Sequence, residues 1–225
     1  MRISTKSIFI SLTALLLIGL PFVYALIIYP DLADKIPVHY DINGNPDGWD
    51  EKSGIFLLPV IMGVAGIIIL LLLTNLNRID PKRYAAGNDK VFGFMGIFII
   101  GFLSFLSLIF EYQTLHPDLR LNSLVFTLLG LFFSGMGFFM PYLKQNYFAG
   151  FKFPWTLESA SNWKKTHLIG GKIWVIGGLV IILSSLASEG AISFTIFLIV
   201  VSLLVILPAV ISYRLYKKEM EQLHE

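Results

Sequence analysis

The chain has 225 residues, 56% of them apolar and 14% charged, with a formal net charge of +2 and no cysteine. Soluble domains average about 25% charged residues, so the composition excludes an ordinary water-soluble fold, and the lack of thiols excludes disulfides, thiolate metal sites and cysteine nucleophiles. The pI of 8.7 says nothing about nucleic acid, and no direct nucleic-acid partner is expected.

In chain order, stretches free of Asp, Glu, Lys, Arg and His cover 7–30, 53–77, 91–110, 121–143, 173–188 and 190–213. A hydrocarbon core of about 30 Å takes about 20 residues at about 1.5 Å each. The reading is an all-α polytopic bundle of six transmembrane helices in a bacterial cytoplasmic membrane. The shortest stretch, 173–188, reaches working length if Lys172 extends its ammonium toward water. The first stretch follows Arg2 and Lys6, and Val23, Tyr24 and Ala25 resemble a signal cleavage site. Its length and the five stretches behind it favour a retained helix.

Orientation follows from Lys and Arg, because short basic loops resist translocation. With the N-terminus inside, fourteen of the 17 basic residues fall inside with six acidic ones, and only Lys35, Lys52 and Arg120 fall outside, with nine acidic residues. Both termini are therefore expected in the cytoplasm. Residues 1–90 read as a helical hairpin around an acidic outer loop, and 91–225 as a four-helix region around an inner loop, 144–172.

The outer loop is rich in turn formers: Asn43-Gly44 suits a tight turn, Pro46-Asp47-Gly48 another, and 36–42 a short strand. Asp41, Asn43, Asn45 and Asp47 invite comparison with a calcium loop. An EF-hand, however, needs Gly at its sixth place and Glu at its twelfth, where this chain has Pro46 and Lys52. No metal or cofactor is expected, and the loop reads as a solvated cap. Its candidate ligand contacts are His39, Asp41, Asn43, Asp47, Trp49, Asp50 and Glu51.

In the inner loop, Pro154 stops a helix, and Thr156 suits an N-cap that restarts one as far as about Leu168. Ser159, Trp163 and His167 then share a face at steps of four. Trp155, Trp163 and Trp174 fit an interfacial aromatic belt, with Lys164 and Lys165 at the headgroups. Two readings stay open here: a surface helix anchored by tryptophan and lysine, or a functional motif in which His167 and Lys152 act beyond anchoring.

The run Asn146, Gly150, Lys152, Pro154, Trp155, Thr156, Trp163, Thr166, His167 and Gly170-Gly171 resembles the signature of the SdpI family of membrane immunity proteins. Pro30-Asp31, Ile36-Pro37, His39, Gly44, Pro46-Asp47-Gly48-Trp49 and Lys52 resemble an uncharacterised membrane domain that often precedes it. Lys152 stands where an arginine is expected, which keeps the charge and loses the planar fork. The resemblance implies a protein, embedded in the lipid bilayer, that protects its cell by binding a secreted toxin peptide. It also implies a second role, holding a helix-turn-helix repressor at the cytoplasmic face.

Two other classes stand beside this reading. A peptide or small-molecule transporter would place ionisable groups or broken helices near the midplane, whereas the charged residues here lie in loops or at helix ends. A membrane enzyme would need a nucleophile, base or metal set, and His167 with Ser159 and Glu158 defines no reaction.

Overall fold

The computed structural model describes residues 5–79, 88–119 and 121–222. Arg2, Lys82, Arg83 and Arg120, which enter the orientation argument, lie outside them. Six helices are long and apolar enough to cross a membrane: α1 (Thr5–Ile28), α2 (Leu57–Ile79), α3 (Asp89–Leu115), α4 (Asn122–Phe139), α6 (Ala160–Ala187) and α7 (Gly190–Gln222). A short helix, α5 (Pro154–Glu158), and a hairpin of β1 (Lys35–Tyr40) and β2 (Pro46–Glu51) complete the described fold. The protein is an all-α multi-pass bundle with one small β-hairpin at one end. Leu16, Leu26, Leu183 and Leu186 are exposed on their helices, as lipid-facing side chains must be.

Helix α3 packs on both α1 and α2, while α6 packs on α4 and α7. Within the bundle, where lipid removes the hydrophobic drive between helices, close backbone approach and hydrogen bonds hold elements together. Ser104 on α3 donates to the Leu17 carbonyl of α1 at 2.7 Å. A Cβ on Gly137 of α4 would lie 2.6 Å from the Gly171 carbonyl oxygen of α6, and one on Gly171 would lie 2.7 Å from that of Gly137. Only glycine fits this crossing.

The hairpin is antiparallel, with Lys35 opposite Glu51 and Tyr40 opposite Pro46. Ile36 seats it on a buried cluster with Ala25, Ile28, Leu32 and Ile55. Of the two expected turns, only the one at Asn43-Gly44 forms, with Gly44 at φ +82°. Pro46, Asp47 and Gly48 instead belong to β2, because they pair with β1.

Three helix boundaries also differ from expectation. Helix α3 continues past Phe110, so Glu111 lies inside it and is buried; the statement that charges keep to loops and helix ends does not hold there. Helix α7 continues past Tyr213 to Gln222. Most important, the surface helix expected to stop near Leu168 and the span expected from 173 are one helix, α6. Gly170 and Gly171 do not interrupt it, since their tight packing outweighs a helix-propensity cost of about 1 kcal/mol each.

Candidate functional site

The bundle end opposite the hairpin is closed by the segment that follows α4. Asn146 shapes its start: buried, it accepts the Phe148 and Ala149 amides at 2.8 Å each and donates to the Lys144 carbonyl at 2.8 Å. Asn88, from the start of α3, brackets the backbone of Lys144 with hydrogen bonds of 2.9 and 3.2 Å. The chain then turns at Gly150, whose φ of +113° favours glycine. A Cβ there would also meet the His167 Nε2 at 2.2 Å.

His167 is buried on α6. Its Nδ1 lies 2.8 Å from the Trp163 carbonyl, which can only accept, so Nδ1 carries the proton. Its Nε2 is then free to accept the Phe151 amide at 2.9 Å. Trp163 stacks on the imidazole at 4.0 Å between ring centroids and donates its indole N–H to the Leu143 carbonyl at 2.8 Å. His167, expected to act beyond anchoring, is by its two ring bonds a clamp that holds the loop on α6.

Thr156 works one step further along. Pro154 occupies the first turn of α5, where its missing N–H costs nothing. The Thr156 hydroxyl accepts the Phe153 amide at 3.0 Å and donates to the Phe151 carbonyl at 2.7 Å. Thr156 therefore secures the start of α5 from inside its first turn and is not an N-cap. The cap of α6 is Ser159, which accepts the Asn162 amide at 3.0 Å.

From there a polar chain crosses to α7. Trp155 donates to the Ser212 hydroxyl at 2.7 Å, which donates to Asn162 Oδ1 at 3.1 Å, while Asn162 returns a bond to the Ser212 carbonyl at 3.0 Å. Thr166 adds a bond to Asn162 at 3.0 Å. Ser159 donates to Glu219 at 2.8 Å, and Lys165 pairs with Glu219 at 3.3 Å. Asn162, Ser212 and Thr166 are all buried. Sequence reading missed Asn162, Ser212, Glu219 and Asn88; each is a common polar residue beside a long apolar run, and only the fold shows that they converge.

Trp155, Trp163 and Trp174, the residues expected in an interfacial aromatic belt, each donate their indole N–H to a protein acceptor: the Ser212 hydroxyl on α7, the Leu143 carbonyl after α4 and the Leu204 carbonyl on α7 respectively. Gly170 sits under the Phe151 ring, which a Cβ there would meet at 2.3 Å. Lys152 is exposed, its ammonium 3.2 Å from the Phe148 carbonyl. Of the eleven residues named in the run from Asn146 to Gly171 it is the charged one facing solvent.

At the other end, His39 and Asp47 are paired across the hairpin. Asp41 is turned inward to its own turn, accepting the Asn43 and Asn45 amides at 2.8 Å each and the Asn45 side chain at 3.0 Å. Those Asn45 bonds, backbone first, hold its carboxyl below the ordinary carboxylate range. Asn43 carries the turn, while Trp49, Asp50 and Glu51 are exposed on β2. Among the described residues no three His, Asp or Glu side chains converge on a metal-sized site.

Two stretches of the chain match families of known proteins. The SdpI/YfhL protein family matches over residues 142–212, which cover the loop, α5, α6 and most of α7. A domain of unknown function matches over residues 16–63, which cover the second half of α1, the hairpin and the start of α2. The immunity protein SdpI of Bacillus subtilis (strain 168) is 23% identical over 92% of this chain and 96% of its own length. An uncharacterized protein of Archaeoglobus fulgidus is 31% identical over 31% of this chain and 38% of its own. No solved structure matches. With six apolar helices of spanning length and an Asn146-to-Gly171 segment folded back on α6 within the matched region, this chain is a multi-pass cell-membrane protein that resembles the SdpI/YfhL family over residues 142–212.

Proposed function

We propose that this protein confers immunity on its own cell against a secreted toxic peptide, as a binder and not as an enzyme. The observation that carries the reading is similarity along nearly the whole length to an immunity protein, with both ends of the bundle included. The lysine and arginine asymmetry supports placing the hairpin outside and the signature loop inside. In that orientation the hairpin presents Asp47, Asp50, Glu51 and Trp49 to an arriving peptide, an acidic and aromatic surface suited to a cationic partner.

Lys152, Lys164 and Lys165 support the second role, recruitment of a helix-turn-helix repressor, since all three are exposed at the loop end. Binding of the toxin outside would then have to change that face, and the hydrogen-bonded chain from Trp155 to Ser212 gives α5, α6 and α7 a common mechanical link. Expression of this chain in a sensitive cell, challenged with a toxin-producing neighbour, tests the first role. Survival should rise well above that of cells with an empty vector; equal killing overturns the reading.

A further inference from the structure

Under the hairpin lies a cavity of about 360 Å³ between β1, the start of α2 and the last turns of α3. Its walls are largely apolar, with Ile36, Leu58 and Phe110 among them, and a single carboxyl lines it, that of Glu111. Glu111 is 1% exposed. One of its oxygens accepts the Ser107 hydroxyl at 2.7 Å, and the other, Oε2, has no hydrogen-bond partner among the described residues.

Among the described residues the Ser107 hydroxyl is the one group that bonds to this carboxyl. Burial removes its water, and the one bond it makes is to its own helix, a turn back. It also stands four residues from the end of α3, where the helix carbonyls disfavour negative charge. An apolar side chain would fill the same place without these penalties. An ionisable group so placed in a membrane segment marks a functional site.

We propose that this cavity binds a cationic group, a primary ammonium or a guanidinium, carried by an apolar peptide, with Glu111 Oε2 accepting its N–H. A lone carboxyl provides too few oxygens for a calcium or magnesium ion. The Thr114 hydroxyl, also in the wall, is already turned to the Phe110 and Pro37 carbonyls. Val38, Leu57 and Ile61 line the cavity and are themselves exposed, so it opens to the surface and offers apolar contact to residues flanking the cation. Asp47, Asp50 and Glu51 on the hairpin beside it draw cations toward the opening. The immunity reading enters only in taking a peptide, and not a free amine, as the carrier.

The test uses the full chain in phosphatidylcholine nanodiscs and a leucine–alanine peptide with blocked ends and one central lysine, against the same peptide with norleucine. The lysine peptide should bind about tenfold tighter or more, the range of a hydrogen bond to a charged group, and Glu111→Gln should remove that preference. If Glu111→Gln does not reconstitute, Leu58→Trp, which fills the cavity and spares the carboxyl, should weaken the lysine peptide by a similar factor. Equal binding of both peptides by the unaltered chain, or an undiminished lysine preference in either variant, overturns the proposal. So does loss of the lysine peptide's binding when phosphatidylethanolamine is added to the discs, since the occupant is then a lipid amine. Because the readout is binding of a defined probe, it stands or falls separately from the protection of cells.

Discussion

The ring of His167 accepts the backbone N–H of Phe151 at 2.9 Å, across sixteen residues of chain, while its other nitrogen is held by Trp163 one turn back. This one side chain joins the loop to α6, so its removal exposes a buried amide to an unfilled space. His167→Ala should lower stability by about 2–4 kcal/mol, combining a lost buried hydrogen bond with a small cavity. Gly150→Ala, which adds a Cβ against the same ring at a positive φ, should cost about 1–3 kcal/mol. Thermal or detergent denaturation of the purified variants measures both, and unchanged stability in both would falsify the clamp.

Lys152 is the contrasting case. Exposed, and among the described residues bonded only to the Phe148 carbonyl, it should tolerate Lys152→Ala within about 0.5 kcal/mol. A loss of protection at normal membrane abundance therefore reports a functional contact at this face; full protection removes Lys152 from the functional set.

The chain linking α5, α6 and α7 predicts coupling between Trp155 and Ser212. In a double-mutant cycle of Trp155→Phe and Ser212→Ala, the interaction should come to about 0.5–1.5 kcal/mol. Additive effects mean that the 2.7 Å contact does not persist in the membrane.

Asp41 makes the hairpin turn sensitive to acid. Its folded pKa is depressed by the Asn45 bonds, so its contribution is present above the ordinary carboxylate range and is lost as pH falls through the lower, folded value. The protection factors of the Asn43 and Asn45 amides, taken as the intrinsic exchange rate over the observed rate at each pH, should fall through that acidic window in the unaltered chain. In Asp41→Asn the protection factors should be low and should show no such step. It follows that a charge test of peptide binding spares Asp41. Changing Asp47, Asp50 and Glu51 to Asn or Gln should weaken protection, more so at low salt, with the turn intact.

Orientation is open to direct labelling, since the chain contains no cysteine. A membrane-impermeant thiol reagent applied to intact cells should label Asp47→Cys and not Lys164→Cys. The reverse pattern would invert the assignment of both ends.

The sequence by itself determined the class, the number of spans and the two segments at the bundle's ends. Apolar runs near bilayer length and side-biased lysines are one-dimensional signals, because the membrane is a slab that each run crosses independently. Gly44 was legible as a turn for the same local reason. Tertiary structure decided which polar groups face inward. A helix passing through Gly170-Gly171 carries Trp163 and His167 into the core, although the same spacing suits a surface anchor equally well, and nothing local tells the two apart. Glu111 shows the limit most clearly: one residue past an apolar run it reads as a helix end, and only the packing of α3 under the hairpin makes it a buried carboxyl beside a cavity. Burial depends on neighbours distant in sequence, and that information is created by folding.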